Sequence, residues 1–179
     1  MGTFISSGTN TIIRHWDNFG RSLGYSLVGR VVPSELQRQS TLAYDTATGR
    51  LASMQIPSDQ SNNPNNQAIR QFSWDYLPGS DLKSSLSYPN GLSASWTYDA
   101  NNQLLQVKNA FDVAATPSSS QTNVISQYDY TYDAAGRRVA CGKSGSAFAQ
   151  NDTLSYGYNE KSELTNAVAE ADSYYHYSY

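Results

Sequence analysis

Tyr132-Asp133-Ala134-Ala135-Gly136-Arg137-Arg138-Val139, YDAAGRRV, is the stretch from which the fold can be read. Asp at the first position and Gly at the fourth suit a type I turn followed by a left-handed residue, with Gly136 taking the positive φ. A three-residue loop, Ala134 to Gly136, then pairs Asp133 with Arg137 and Tyr132 with Arg138. Neighbouring strand residues point to opposite faces. Asp133 and Arg137 are therefore expected on one side, and Tyr132, Tyr130 and Ala140 on the other. By the same count Cys141 shares a face with Asp129.

Working outward, the phrase recurs as WDNFGRSL from Trp16, YDTATGRL from Tyr44, WDYLPGSDL from Trp74, YDANNQLL from Tyr98 and YNEKSEL from Tyr158. The anchors Trp16, Tyr44, Trp74, Tyr98, Tyr132 and Tyr158 lie 28, 30, 24, 34 and 26 residues apart, a period that marks a stacked repeat array. The same pairing sets Tyr98 opposite Leu104 and Tyr158 opposite Leu164. Aromatic and aliphatic residues build the core (Tyr44, Leu51, Tyr98, Leu104, Tyr132), while Asp45, Gly49, Asp99, Asp133, Gly136 and Arg137 build the turns.

Between the third and fourth copies, LKSSLSYPNGLSASWTYD tests the register. A two-residue Asn90-Gly91 loop would set Leu86 and Tyr88 opposite Ser95 and Ser93. A three-residue Pro89-Asn90-Gly91 loop instead brings Leu82, Leu86, Tyr88, Leu92, Ala94, Trp96 and Tyr98 to one face, and the longer loop is the expectation. The sequence thus predicts an all-β chain, a curved antiparallel sheet of consecutive hairpins forming one domain over residues 1–179. NEKSELTNAVAEAD from Asn159 has the best helical composition, but it starts inside a repeat copy. Long polar connections are expected at 56–67, 109–123 and 143–152, with Phe111, Val113 and Phe148 folding back onto the sheet.

Composition narrows the function. Net charge is −3 with no basic stripe, which argues against nucleic acid. No apolar run approaches the length of a membrane-spanning helix. Cys141 is the single cysteine, so no internal disulfide forms. MGTFIS fits a loose N-myristoylation pattern, but an added start codon explains it better.

Catalytic constellations do not assemble. His15 and His176 stand among aromatics at strand-like positions, and no cluster has metal-ligand spacing, so neither metal nor cofactor is expected. Gly142-Lys143-Ser144 resembles the end of a phosphate loop, but five residues separate Gly136 from Gly142 where that motif has four. Asp17, Asp45, Asp75, Asp99 and Asp133 recur, yet their place as first residue of a turn already accounts for them, and one carboxylate per hairpin does not make a catalytic pair. The expectation is a protein that is not an enzyme.

YDTATGRL and YDAAGRRV resemble the YD repeat, or RHS repeat, of bacterial RHS proteins, insecticidal toxin complexes and animal teneurins. YDANNQLL and YNEKSEL keep the Tyr and Leu of that repeat but lose Gly and Arg, and two copies replace Tyr by Trp. The resemblance implies a strip of antiparallel sheet from a shell wall, which in the family encapsulates or presents a C-terminal toxin or supports adhesion. It implies a structural segment of a secreted or cell-surface protein, with neighbouring repeats and an enclosed toxin as partners. The chain has too few repeats to close a shell, no Asp-Pro dipeptide and no toxin-like domain, so the expected object is a piece of a longer protein. An alternative is a carbohydrate- or surface-binding module stacking sugars on Trp96, Tyr174, Tyr175 and Tyr177. The SYYHYSY ending has the composition of a strand edge that pairs with another chain, so the isolated piece is expected to form homo-oligomers through its edges.

Overall fold

The computed structural model describes residues 6–7, 10–29, 39–57, 69–111, 123–169 and 174–177. The described residues contain strands and turns and no helix. The strands are β1 (Ser6–Ser7), β2 (Asn10–Trp16), β3 (Ser22–Gly29), β4 (Gln39–Tyr44), β5 (Leu51–Pro57), β6 (Ile69–Tyr76), β7 (Lys83–Ser87), β8 (Leu92–Tyr98), β9 (Leu104–Phe111), β10 (Asn123–Tyr132), β11 (Arg138–Ser144), β12 (Asp152–Tyr158), β13 (Leu164–Ala169) and β14 (Tyr174–His176). The chain divides into two compact units, Met1–Leu82 with Leu86–Asn90, and Lys83–Ser85 with Gly91–Tyr179. Within each unit hydrogen-bonded neighbours follow chain order, and the strand pairs are antiparallel. The Asn159 stretch is turn and then strand, because Leu164–Ala169 finds partners on both sides in β12 and β14.

Each Asp- or Asn-led turn fixes its hairpin as the repeat phrase anticipates. The amide of Asp133 donates to the Arg137 carbonyl at 3.0 Å, and that of Gly136 to the Asp133 carbonyl at 2.9 Å. Gly136 has φ +80°, and Tyr132 pairs with Arg138, Tyr98 with Leu104 and Tyr158 with Leu164. At the YDTATGRL copy the loop is one residue longer, closing from Asp45 to Arg50 with Gly49 at φ +71°. β7 ends at Ser87 and β8 begins at Leu92, with Gly91 at φ +81°, in keeping with the three-residue loop. In the copies without glycine, Asn102 and Ser162 occupy the left-handed position at φ 63°. Replacing Ser162 by Gly should raise stability by about 0.5–1 kcal/mol by removing the Cβ penalty. Thermal melting should show the Ser162→Gly variant above the parent, and a lower midpoint would mean that the Ser162 hydroxyl matters more than its backbone.

Two register expectations need correction. The third anchor is Tyr76, not Trp74: the turn runs from Leu77 to Leu82, whose carbonyl accepts the Leu77 amide at 2.9 Å, and Asp75 stays on β6. Pro78 and Gly79 (φ +69°) form a type II turn with Ser80, and this turn chemistry outweighs the aromatic-Asp pattern two residues earlier. The second correction is a β-bulge after each Asp- or Asn-led turn. Trp16 faces Ser22 while His15 faces Gly24, leaving Leu23 extra. Ala52, Leu105, Val139 and Thr165 are the equivalent extra residues. Val139 therefore shifts β11, so that Cys141, not Ala140, pairs with Tyr130, and Asp129 faces Gly142.

Burial is shallow. Ala94, Ala110, Cys141 and Ala167 are the buried apolar residues among those described, and no large side chain is fully enclosed. Packing is thus spread along the ladder of half-buried Tyr, Trp and Leu. Phe148 returns to the sheet edge-on against Tyr128, ring centroids 5.6 Å apart. Phe111 instead ends β9 and is 37% exposed, because the strand continues to it through pairing with Leu92 and Asn123. Residues 58–68 and 112–122, including Val113, lie outside the described residues.

Candidate functional site

The Asp- and Asn-led turns carry repeated side-chain hydrogen bonding among the described residues. Asp17 Oδ1 accepts the amides of Phe19 and Arg21, both at 2.9 Å, and Oδ2 accepts Arg21 Nε at 2.6 Å. Asp133 repeats this with the Ala135 and Arg137 amides at 3.0 and 2.9 Å and Arg137 Nε at 2.7 Å. Asp99 takes the amides of Asn101 and Gln103, both at 2.8 Å. Asn159 Oδ1 takes the Lys161 and Glu163 amides at 3.0 Å, while Asn159 Nδ2 donates to Glu163 Oε2 at 2.6 Å. YNEKSEL is therefore not a degraded copy. Where Asp faces Arg, this turn has Asn facing Glu, and donor and acceptor have exchanged places together. Asn159→Asp alone sets two carboxylates against each other and should cost about 0.5–1 kcal/mol, a loss recovered when Glu163→Arg is added. A double-mutant cycle by denaturant titration reads this directly, and additive losses would refute the pairing.

Each repeat is also tied to the one before it. The hydroxyls of Tyr44, Tyr76, Tyr98, Tyr132 and Tyr158 donate to the carbonyls of Ser22, Leu51, Lys83, Leu104 and Arg138 at 2.9, 3.0, 3.1, 2.8 and 2.7 Å. At Ser22, Leu51, Leu104 and Arg138 the accepting carbonyl stands immediately before the bulged residue, where the ladder is interrupted. Tyr serves here and Phe does not, because a hydroxyl is needed at the ring's far end.

In the other direction, four of the residues that close turns, Arg21, Arg50, Gln103 and Arg137, reach the next repeat. Arg21, Arg50 and Arg137 hold their guanidinium carbons 4.5, 5.4 and 5.0 Å from the ring centroids of Tyr44, Tyr76 and Tyr158. Arg21 also donates to the Gly49 carbonyl at 3.1 Å, Gln103 to that of Gly136 at 3.3 Å, and Arg50 to Asp81 at 2.8 Å. The sequence signals for these staples were the preference for Tyr at the anchor and for Arg or Gln after the loop. Only the strand order shows which repeat they reach.

The turn hydrogen bonds set the carboxyl ionisation. Asp133 is held below its ordinary value by the Arg137 amide and then its guanidinium, and Asp45 by the Thr48 hydroxyl and then its amide. At Asp17 desolvation pushes upward and is outweighed by the Arg21 and Phe19 donors. Carboxyls depressed in the folded state contribute stability above their unfolded pKa, and that stability is lost as pH falls through the folded values. The melting midpoint should hold steady down to about pH 5 and drop below about pH 4. Asp133→Asn should shallow that acid limb, and an unchanged limb in Asp17, Asp45 and Asp133 variants alike would remove the turn carboxylates as its cause.

Among the described residues the other candidates stand apart from one another. His15 Nε2 lies 3.0 Å from Ser26 Oγ, a local strand contact. Among the described residues no group of three or more His, Cys, Asp or Glu side chains comes together, and no helix is long and apolar enough to cross a membrane. Burial pushes the Cys141 thiol up, against the opposing pull of Arg138 and Lys143. Arg138 lies over Tyr130 with its guanidinium carbon 3.9 Å from the ring centroid. Of the residues suited to sugar stacking, Trp96 is half-buried opposite Val107 and Tyr177 is 41% exposed. The Tyr174 and Tyr175 backbones pair with Val168 and Ala167, and their side chains and that of His176 lie outside the described residues.

No family model and no curated protein matches the chain. Its fold is similar to solved toxin-complex structures. "Crystal Structure of TcdB2-TccC3-TEV" matches at TM-score 0.54 and 16% identity, over 90% of this chain and 9% of that one. "Crystal Structure of TcdB2-TccC3-Cdc42" matches at TM-score 0.53 and 16% identity, over 89% and 9%. The chain thus has the fold of a stretch of these Tc toxin components and spans about a tenth of their length.

Proposed function

We propose that the chain is a non-catalytic structural segment of an RHS/YD-repeat protein, forming part of the wall of a shell that encloses or presents a toxin or effector. One observation carries this reading. The ordered polar groups, Tyr hydroxyls, turn carboxylates and closing arginines, are engaged in holding one repeat to itself or to the next, as a load-distributing wall requires. The similarity of fold to TcdB2-TccC3 chains supports the same reading. Its partners are neighbouring repeats of the parent protein, and its setting is a secreted or cell-surface protein. Electron microscopy of the parent polypeptide is the test: residues 16–179 should lie within the wall of a hollow assembly. Their appearance as a free appendage, with saturable glycan binding lost in Trp96→Ala or Tyr177→Ala, would replace the shell with a carbohydrate-binding module.

A further inference from the structure

We infer that a groove on the aromatic face of β2–β4 is a binding site for a carboxylate carried on an apolar body. The groove encloses about 310 Å³, within the range of small-molecule sites. Its floor is a row of direct cross-strand partners, Arg14 facing Tyr25 and Tyr25 facing Ser40. Ile12 and Leu42, two residues along from Arg14 and Ser40, form apolar walls, and Ser22 completes the lining beside the turn. Ile12 and Tyr25 are 48% and 42% exposed, so the groove opens to solvent.

The donors decide the ligand class. Arg21, Arg50 and Arg137 are engaged by carboxylates, carbonyls and rings. Arg14 has no hydrogen-bond, ion-pair or ring partner among the described residues. Ser22 Oγ accepts the Gly24 amide at 3.3 Å and Ser40 Oγ accepts the Tyr25 amide at 3.3 Å, which leaves each hydroxyl proton free to donate outward. Among the described residues the lining therefore presents a fixed positive charge and two hydroxyl donors, with no Asp or Glu. A planar guanidinium next to hydroxyl donors matches the two oxygens of a carboxylate, and Ile12, Tyr25 and Leu42 match an aliphatic or aryl chain behind it. This site is independent of the shell reading: it uses the Ser22 hydroxyl, whereas the Tyr44 staple uses the Ser22 carbonyl.

The test is a titration of the full chain followed by amide chemical shifts, with 3-phenylpropionate and its neutral counterpart 3-phenylpropanol as probes. The acid should bind saturably, shift the Ile12, Tyr25 and Leu42 amides, and bind roughly tenfold more tightly than the alcohol, as a charge-assisted contact predicts. Arg14→Gln should erase that preference while leaving the rest of the spectrum in place, and Arg14→Lys should restore part of it. A blocked Leu-Glu-Leu peptide provides the second arm: if it binds the same residues more tightly than the free acid, the carboxylate source is a polypeptide side chain. Equal binding of acid and alcohol, shifts that map elsewhere, or an Arg14→Gln variant indistinguishable from the parent would each overturn the proposal.

Discussion

Gly24→Ala is expected to disrupt the first unit, with a loss of more than about 3 kcal/mol. Gly24 has φ +108°, and a Cβ there would overlap the Ser40 carbonyl oxygen. That oxygen belongs to the backbone of β4, so it cannot swing aside as a side chain would. Either β3 and β4 separate, or the bulge at Leu23 is rebuilt and the faces of β3 change. Gly20→Ala, in the turn of the same hairpin, is the control: its φ is +78°, but nothing stands within 4 Å of the added carbon. It should lose only about 1 kcal/mol, the ordinary cost of a Cβ in the left-handed region. Denaturant midpoints of the two variants separate backbone crowding from conformational preference, and equal losses would show that Gly24 is there for its φ alone.

Tyr158→Ala should lose about 3 kcal/mol and Tyr158→Phe about 1 kcal/mol. The alanine removes a half-buried ring paired with Leu164, the surface over which Arg137 lies at 5.0 Å, and the hydroxyl that donates to the Arg138 carbonyl at 2.7 Å. The phenylalanine removes the hydroxyl alone and leaves a carbonyl beside the Val139 bulge without its donor. Hydrogen exchange provides the local readout: in Tyr158→Phe, protection should fall around Arg138 to Ala140 before it falls at the Asn159 turn. If Tyr158→Phe matched the parent in stability and exchange, the hydroxyl tie between repeats would carry no energy.

The turn chemistry needed nothing beyond the chain itself. Asp133 heads its loop, where its carboxylate takes the amides two and four residues on, and Gly136 takes the positive φ; the turn position of both was legible in YDAAGRRV. The pairing of Tyr98 with Leu104 and of Tyr158 with Leu164 followed from loop length by counting. Counting failed one residue later. The extra residue at Leu105, Val139 or Thr165 has no residue type of its own to announce it, and by placing residues three apart on one face it breaks the alternation on which the count relies. It was this slip that moved Cys141 beside Tyr130. The anchor at Tyr76 was hidden for a related reason, because Trp74-Asp75 copies the phrase while Pro78-Gly79 places the turn.

The sequence by itself determined the hairpins, because their contacts close within a few residues and depend on residue type and spacing. Tertiary structure decided everything that joins one hairpin to the next. Tyr132 could be seen as a core ring from its spacing, but only the packing of β9 against β10 delivers its hydroxyl to the Leu104 carbonyl, 28 residues back. Arg14 likewise belongs to no motif in the sequence. Its meaning arises from facing Tyr25 and, through Tyr25, Ser40, across three strands whose register is set by backbone hydrogen bonds rather than by any local motif.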